Sequence, residues 1–423
     1  MSQLENASRS LLEEHQLARL QLGLSRILPQ NRFYEEKLLS NRASLALRSI
    51  DDLSSFPFTT KQELVADQVL HPLFGSNLTY PMNEYIRLHQ TSGTTGRPLK
   101  ILDTQESWDW WAECWMSVYR SAGVTRDDIV FLAFHFGPFI GFWSAYEGAK
   151  RLGALTVPGG GMDSLQRLRA IQEIEATVLV CTPSYALYLA EVAPEHGLDM
   201  RFSKVRITIH AGEPGASIPS TRERIQSAWN ARTYDHAGMT EMGAFGFACS
   251  EQHGLHVNES EFIAEILNPI NNQPVREGQT GELVMTNLGR WGNPAIRYRT
   301  GDLVRHGGYS CACGRTFLLL SGGVLGRLDD MLIVRGVNVY PSAVANILLR
   351  FPEVNEYRVI VTREGPMDEI ALQVECPPYL KSAIADELHL AFNLRVPIET
   401  VAPGTLPRFE LKARRVEDRR NRS

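Results

Sequence analysis

Val178-Leu179-Val180 running into Cys181-Thr182-Pro183-Ser184, and Val205-Arg206-Ile207-Thr208-Ile209 running into His210-Ala211-Gly212-Glu213-Pro214-Gly215, decide the fold. Each is a short, β-branched apolar run that ends in turn-forming residues, as expected of a strand buried on both faces. Two more such runs lie upstream. Ile129-Val130-Phe131-Leu132-Ala133-Phe134 leads into His135-Phe136-Gly137-Pro138-Phe139-Ile140-Gly141-Phe142-Trp143, and Leu155-Thr156-Val157 leads into Pro158-Gly159-Gly160-Gly161. Helical patterns at Ser164 to Glu173 and Ser184 to Val192 separate the runs. Strand, loop and helix in alternation predict a large α/β N-terminal domain with mostly parallel sheets. Ligands of such sheets bind beyond the carboxyl ends of the strands, where the glycine-rich turns fall here.

Ahead of these runs stands Gln90-Thr91-Ser92-Gly93-Thr94-Thr95-Gly96-Arg97-Pro98-Leu99-Lys100. Its hydroxyls can meet oxyanions, its glycines free the backbone, and Arg97 and Lys100 add positive charge, so the stretch suits a polyphosphate. Gly93 and Gly96 are three residues apart and no Gly-Lys-Ser/Thr follows, which excludes the P-loop of kinases and GTPases.

Composition narrows the partners. The 423 residues carry 43 Lys plus Arg against 48 Asp plus Glu, a net charge of -5, without the basic excess of a nucleic-acid binder. The start, Ser2-Gln3-Leu4-Glu5-Asn6, is unlike a signal peptide, and no apolar run approaches the roughly 18 residues of a membrane span. A cytoplasmic protein acting on a small molecule is expected. Six cysteines are too few for a disulfide framework, and leave thiols or a metal site as the alternatives.

Leu11 to Leu28 has the spacing of an amphipathic helix, and Thr60 with Glu63 that of a capping box. Trp108, Trp111 and Trp115 share one helix face and are expected to pack in a core. Beyond Asp329 the pattern changes to a helix at Pro341 to Leu349, strands near Glu356 to Val361 and Glu369 to Val374, and a helix at Leu380 to Phe392. A boundary there divides the chain into residues 1–328 and a small α+β unit, residues 329–423.

Further motifs are Tyr234-Asp235-His236-Ala237-Gly238-Met239-Thr240-Glu241, Tyr298-Arg299-Thr300-Gly301-Asp302 and Gly326-Arg327-Leu328-Asp329-Asp330. With the hydroxyl-rich loop and the Ala211-Gly212-Glu213-Pro214 turn, their order and spacing resemble the adenylate-forming superfamily of acyl-CoA synthetases. Met331 to Ser342 and Leu406 to Val416 look most like its phenylacetate-CoA ligase branch. The resemblance spans roughly residues 56 to 418. It implies an acid-thiol ligase that uses ATP, magnesium and coenzyme A to turn a carboxylic acid into acyl-AMP and then a thioester.

On that resemblance Thr91, Ser92, Gly93, Thr94, Thr95 and Gly96 would hold the β- and γ-phosphates. Glu241 would bind magnesium, a hard cation suited by one carboxylate plus phosphates, with Thr240 at the α-phosphate. Asp302 would accept from the ribose hydroxyls, and Arg327 would hold ribose or phosphate. Gly212, Glu213 and Pro214 would run beside adenine. Tyr234 or His236 would stack there, with packing as the alternative for either ring. Lys412 matches the lysine that stabilises the adenylation transition state, although Leu411 stands where the family commonly has glycine. Asp329 matches the hinge of the small domain, a rigid linker being the alternative, and Arg335 and Gly336 would reach the pantetheine channel after rotation.

His135, Phe136, Phe139, Phe142, Trp143, Ala211 and Ala237 would line the acyl pocket, an aromatic wall suited to an aryl or arylacetic acid. Cys249, His256, Cys311 and Cys313 would fill a tetrahedral, structural zinc site, with His253 as an alternative to His256. Transfer to a carrier-protein thiol, or a relative that binds nucleotide without turnover, are the competing functions. A homodimer is left open.

Overall fold

The computed structural model describes residues 3–91, 98–137, 140–328, 330, 332–335, 337–364, 367–409 and 415–420. In it the apolar runs form neighbouring parallel strands. Ile129–Leu132 lies between Leu155–Pro158 and Val178–Cys181, and Ile207–His210 and Arg232–Met239 follow in order. The strand after Ile129–Leu132 thus falls on one side and the next on the other. This is the switch point at which the carboxyl ends of an open sheet part to leave a crevice. Thr182 starts the helix Pro183–Val192 by accepting from the Tyr185 amide, and Asp163 caps Ser164–Glu173. The caps turn the chain sharply from strand into helix, so that both helices pack back along the sheet.

The sheet then continues beyond its parallel half. Arg232–Met239 pairs antiparallel with Gly243–Phe247, and Gly254–Val257, Leu319–Arg327, Tyr298–His306, Thr280–Asn287 and Phe262–Leu267 extend the sheet to 11 strands. Glycines and polar residues interrupt several of these strands, so they do not stand out in the sequence as apolar runs.

The Trp108, Trp111 and Trp115 face of the helix Gln105–Ser121 is buried in the large core, as its spacing predicts. The N-terminal helix, Arg9–Ile27, buries Leu20, Leu24 and Ile27 against Leu288, Trp291 and Ile296. Gly23 allows that approach, because a β-carbon there would stand 2.1 Å from the Trp291 ring. The capping box forms at helix Lys61–Leu70, with Glu63 N donating to Thr60 Oγ1 at 3.2 Å and Thr60 N to Glu63 Oε2 at 2.8 Å.

A second core lies beyond residue 331. A six-stranded sheet that includes Leu332–Val334, Glu356–Glu364 and Met367–Glu375 packs against helices Pro341–Leu348 and Leu380–Phe392. Val339, Val344, Val361, Val374, Ile384 and Leu388 are fully buried within it, and none of them belongs to the larger core. Among the described residues no helix is long and apolar enough to cross a membrane.

Candidate active site

The hydroxyl-rich loop sits on a two-stranded hairpin, Tyr85–Gln90 against Lys100–Thr104. Ser92, Gly93, Thr94, Thr95, Gly96 and Arg97 lie outside the described residues. Thr91 closes the base of the loop, donating its amide to Leu99 O and accepting the Leu99 amide at Oγ1, both at 3.0 Å. It is buried, and its hydroxyl oxygen is engaged by the hairpin. Lys100 is engaged as well, its Nζ 3.4 Å from Leu73 O and beside the Phe74 ring.

Three segments converge on Glu241, which follows strand Arg232–Met239. Its buried carboxylate stands 3.4 Å from Lys61 Nζ and accepts from Tyr298 OH at 3.3 Å. Burial, and then the neighbouring Glu241 charge, push the Tyr298 phenol well above its ordinary range, so it stays a proton donor. Lys61 is placed by its neighbour Thr59, which bridges to Tyr298 and exchanges backbone hydrogen bonds with Arg297 and Arg299 at 2.9 and 2.8 Å. Sequence reasoning missed Lys61. The available signal was a lysine at the first position of a helix, where the macrodipole disfavours a cation and something else must retain it.

Asp302 and Arg327 face each other across paired strands, and Arg327 Nη1 donates to Asp302 Oδ1 at 3.0 Å. Asp302 lies on the strand that carries Tyr298, and Arg327 ends the strand paired with it, one carboxylate facing one guanidinium. The Gly212, Glu213 and Pro214 turn follows strand Ile207–His210, with Glu213 anchored by the Ser184 amide at 2.9 Å and by the Ser184 hydroxyl.

Neither ring suggested for stacking is free. Tyr234 and His236 are 5 and 6% exposed. His236 Nδ1 lies 2.7 Å from Gly246 O and its ring packs on Trp115, while burial lowers its pKa to about 4. The strand's alternation turns both side chains into the core and leaves Ala237 half-buried toward the crevice.

The proposed acyl lining begins at the end of strand Ile129–Leu132. Phe142 stacks on Phe134, and Phe136 meets Trp143 edge-on with centroids 4.8 Å apart. Gly160 leaves room for Phe136, whose ring would be 2.6 Å from a β-carbon there. Phe136, Phe142, Ala211 and Ala237 are half-buried and His135 is exposed, while Phe139 lies outside the described residues.

Among the described residues, Cys249, His256, Cys311 and Cys313 bring their ligand atoms within 4.8 Å of one another. Cys249 Sγ is 3.8 Å from Cys311 Sγ, and Cys313 Sγ is 3.6 Å from His256 Nε2. His253, the alternative, is exposed and outside the cluster.

Asp329, Gly336 and Lys412 lie outside the described residues. Arg335 pairs with Glu369 at 2.6 Å within the small unit. The two units touch through Arg224 Nη1, which donates to Val354 O at 3.3 Å, and Arg408, which bridges Glu375 at 2.9 Å and Glu191 at 3.5 Å.

The pattern of the AMP-binding enzyme family matches residues 51–289, and that of the AMP-binding enzyme C-terminal domain matches residues 336–420. The phenylacetate-coenzyme A ligase of Pseudomonas putida is 31% identical, over 99% of this chain and 96% of that protein. Its Thermus thermophilus counterpart is 32% identical over 99% of each. Among solved structures, 2-hydroxyisobutyryl-CoA ligase in the postadenylation state, bound to R3-HIB-AMP, superimposes with a TM-score of 0.92 at 31% identity, over 98% of this chain and 91% of that one. The same ligase in the thioesterification state, with 2-HIB-AMP and CoA, gives 0.75 at 32% identity, over 99% and 91%.

Proposed function

Because the chain belongs to the AMP-binding enzyme family, in its phenylacetate-CoA ligase branch, we propose that it activates an aryl or arylacetic acid with ATP and passes the acyl group to coenzyme A. The observation that carries this reading is the meeting of Glu241, Lys61 and Tyr298 beside the Asp302–Arg327 pair. Two anionic groups and two cations then border one crevice, the arrangement that a triphosphate, its metal and a ribose require.

A carboxylate is a poor acyl donor because its charge repels nucleophiles and its oxygen leaves badly. Attack by that oxygen on the α-phosphorus, with departure of pyrophosphate, makes an acyl-AMP whose leaving group is AMP. The coenzyme A thiolate then displaces AMP. Position and charge neutralisation carry such chemistry, so the protein's work is to hold and to screen. Asp302 accepts from the ribose hydroxyls, Arg327 steadies ribose or phosphate, and the loop of residues 91–97 receives the departing pyrophosphate. Glu241 offers the hard oxygen that magnesium prefers and already faces a cation at 3.4 Å; bound there, the metal would screen the phosphates. Lys412 supplies positive charge to the adenylation transition state.

The small domain turns about Asp329 between half-reactions, withdrawing Lys412 and bringing Arg335 and Gly336 to the pantetheine. In support, the arrangement of this chain follows the postadenylation relative more closely than the thioesterification one, 0.92 against 0.75. The half-buried aromatic lining of Phe136, Phe142 and Trp143 favours an aryl acid. The likeness to a 2-hydroxyisobutyryl-CoA ligase makes a short hydroxy acid the second reading.

Pyrophosphate release with a panel of phenylacetate, benzoates, hydroxylated aryl acids and 2-hydroxyisobutyrate tests this. Release without a CoA thioester would favour a carrier-protein acceptor, and no release with any acid a nucleotide-binding role. Lys412→Ala should abolish adenylation yet spare thioester formation from supplied acyl-AMP. Equal loss of both rejects its role.

Cys249, His256, Cys311 and Cys313 hold a structural zinc in this reading. Bonds of 2.0–2.3 Å in a tetrahedron put ligand atoms about 3.3–3.8 Å apart. The 3.8 and 3.6 Å separations here fit that range, and all four ligand atoms lie within 4.8 Å of one another. His256 Nδ1, 3.3 Å from Phe317 O, fixes the ring so that Nε2 faces the thiols. A chelator should lower the melting temperature, and an unchanged curve with no zinc by elemental analysis rejects the site. The reading takes the protein as cytoplasmic, and a homodimer is the assembly to test by light scattering.

A further inference from the structure

Arg290 and Asp103 are fully buried, 0% exposed, and none of the adenylation roles above uses them. Their contact is two-pronged: Arg290 Nε donates to Asp103 Oδ1 and Nη2 to Oδ2, both at 2.7 Å. Burial alone would raise the Asp103 pKa, yet the guanidinium charge holds it below its ordinary value. The remaining nitrogen, Nη1, donates to the backbone carbonyl of Thr240. Arg290 also lies over the Trp111 ring at 5.2 Å, so its plane is fixed from the side.

These contacts join two parts of the site that are remote in sequence. Asp103 stands on strand Lys100–Thr104, the strand that leaves the hydroxyl-rich loop, and Thr240 precedes Glu241. A second tie, Asn287 Nδ2 to Met242 O at 3.2 Å, holds the chain just after Glu241. A buried ion pair is a weak source of stability, because its desolvation offsets its attraction and an apolar pair would serve as well. The third hydrogen bond is what an apolar pair could not supply.

We infer that Arg290, held by Asp103, is a positioning residue for adenylation: it fixes the Thr240 carbonyl, and so Glu241, relative to the hairpin strand that carries Asp103. The inference rests on the reading of Glu241 and the loop as the magnesium-ATP site. Its effect falls on the metal-dependent half-reaction, because the second half-reaction starts after pyrophosphate and its magnesium have left.

Two variants and three measurements test it. Arg290→Lys keeps the charge and loses the fork. Asp103→Leu with Arg290→Met replaces the pair by apolar side chains. ATP affinity with magnesium and with EDTA, pyrophosphate release, and thioester formation from supplied acyl-AMP are measured beside melting temperature. In R290K the gain in ATP affinity from magnesium and the rate of pyrophosphate release should each fall by about 10- to 100-fold. Thioester formation from acyl-AMP should stay near the wild-type rate. The double variant should melt near the wild type and still adenylate slowly, which a purely structural pair would not do.

Wild-type adenylation in R290K or in a well-folded double variant overturns the inference, as does equal loss of both half-reactions. If the double variant does not fold, R290K decides. If the wild type releases no pyrophosphate with any acid, the functional reading fails while the ATP affinities still judge the brace. A wild type that binds no ATP overturns both.

Discussion

Lys61 shows how a site residue can hide in a local motif. Thr60 and Glu63 account for the helix start, yet the lysine between them occupies a position that favours acids, and it faces Glu241 at 3.4 Å. Lys61→Met should therefore leave the melting temperature unchanged or slightly raised while pyrophosphate release falls by on the order of ten- to a hundredfold. Asp235 and His236 make a second prediction. Burial raises Asp235 to about 6 despite the Ser217 hydroxyl, so its contribution to stability falls as pH rises from about 4 to 6. His236 is lowered to about 4 by burial, so stability is lost as pH falls from about 6.5 to 4. The neighbours pull in opposite directions. Asp235→Asn should thus steepen the acid-side loss of stability, measured by melting temperature from pH 4 to 7, by at most about 3 kcal/mol. Neither burial could be read from Tyr234 to Glu241 alone, because the alternation of a strand does not say which face meets the core. The motifs that carry Asp302, Arg327 and Glu241 stood out by their order and spacing, and the structure places Asp302 beside Arg327.

The helices and parallel strands were legible for a physical reason. Thr182, Asp163 and Thr60 are caps, and Val178–Cys181 and Ile207–His210 are unbroken apolar runs. The antiparallel strands were not, since glycines break their patterns: a β-carbon at Gly254 would stand 2.0 Å from Leu320 O, and Gly322 and Gly323 adopt positive φ. The cysteine–histidine cluster was legible in its residue types, but only the pairing of Leu319 with His256 decides between the two histidines by bringing strand Gly254–Val257 beside the segment that carries Cys311 and Cys313. The docking of the N-terminal helix gives a prediction. Alanine is the better helix former, yet Gly23→Ala would drive a methyl into Trp291, where the nearest ring carbon is 2.1 Å away. Overpacking should win, lowering stability by about 1–3 kcal/mol in thermal melts, with pyrophosphate release per folded molecule unchanged.

Among the described residues, polar contacts join the two cores at Arg224 and Arg408. Arg224 donates to Val354 O at 3.3 Å, and Arg408 reaches Glu191 at 3.5 Å. Arg224→Met removes one of them, a contact of about 1 kcal/mol, so pyrophosphate release should fall by a factor of up to about five while thioester formation from supplied acyl-AMP does not fall. Equal slowing of both reactions would count against a contact that favours one arrangement of the small domain. The bridge between Thr59 and Tyr298 reaches across most of the large domain's sequence. Seen from the ribosome, the lysine two residues after Thr59 is made early and has no anchor until the Tyr298–Asp302 segment emerges. A nascent chain stopped after Arg232–Met239 would hold every strand of the parallel half and still lack Glu241, the Tyr298 phenol and Asp302. Function is therefore timed to the end of synthesis, and the antiparallel strands act as the clock.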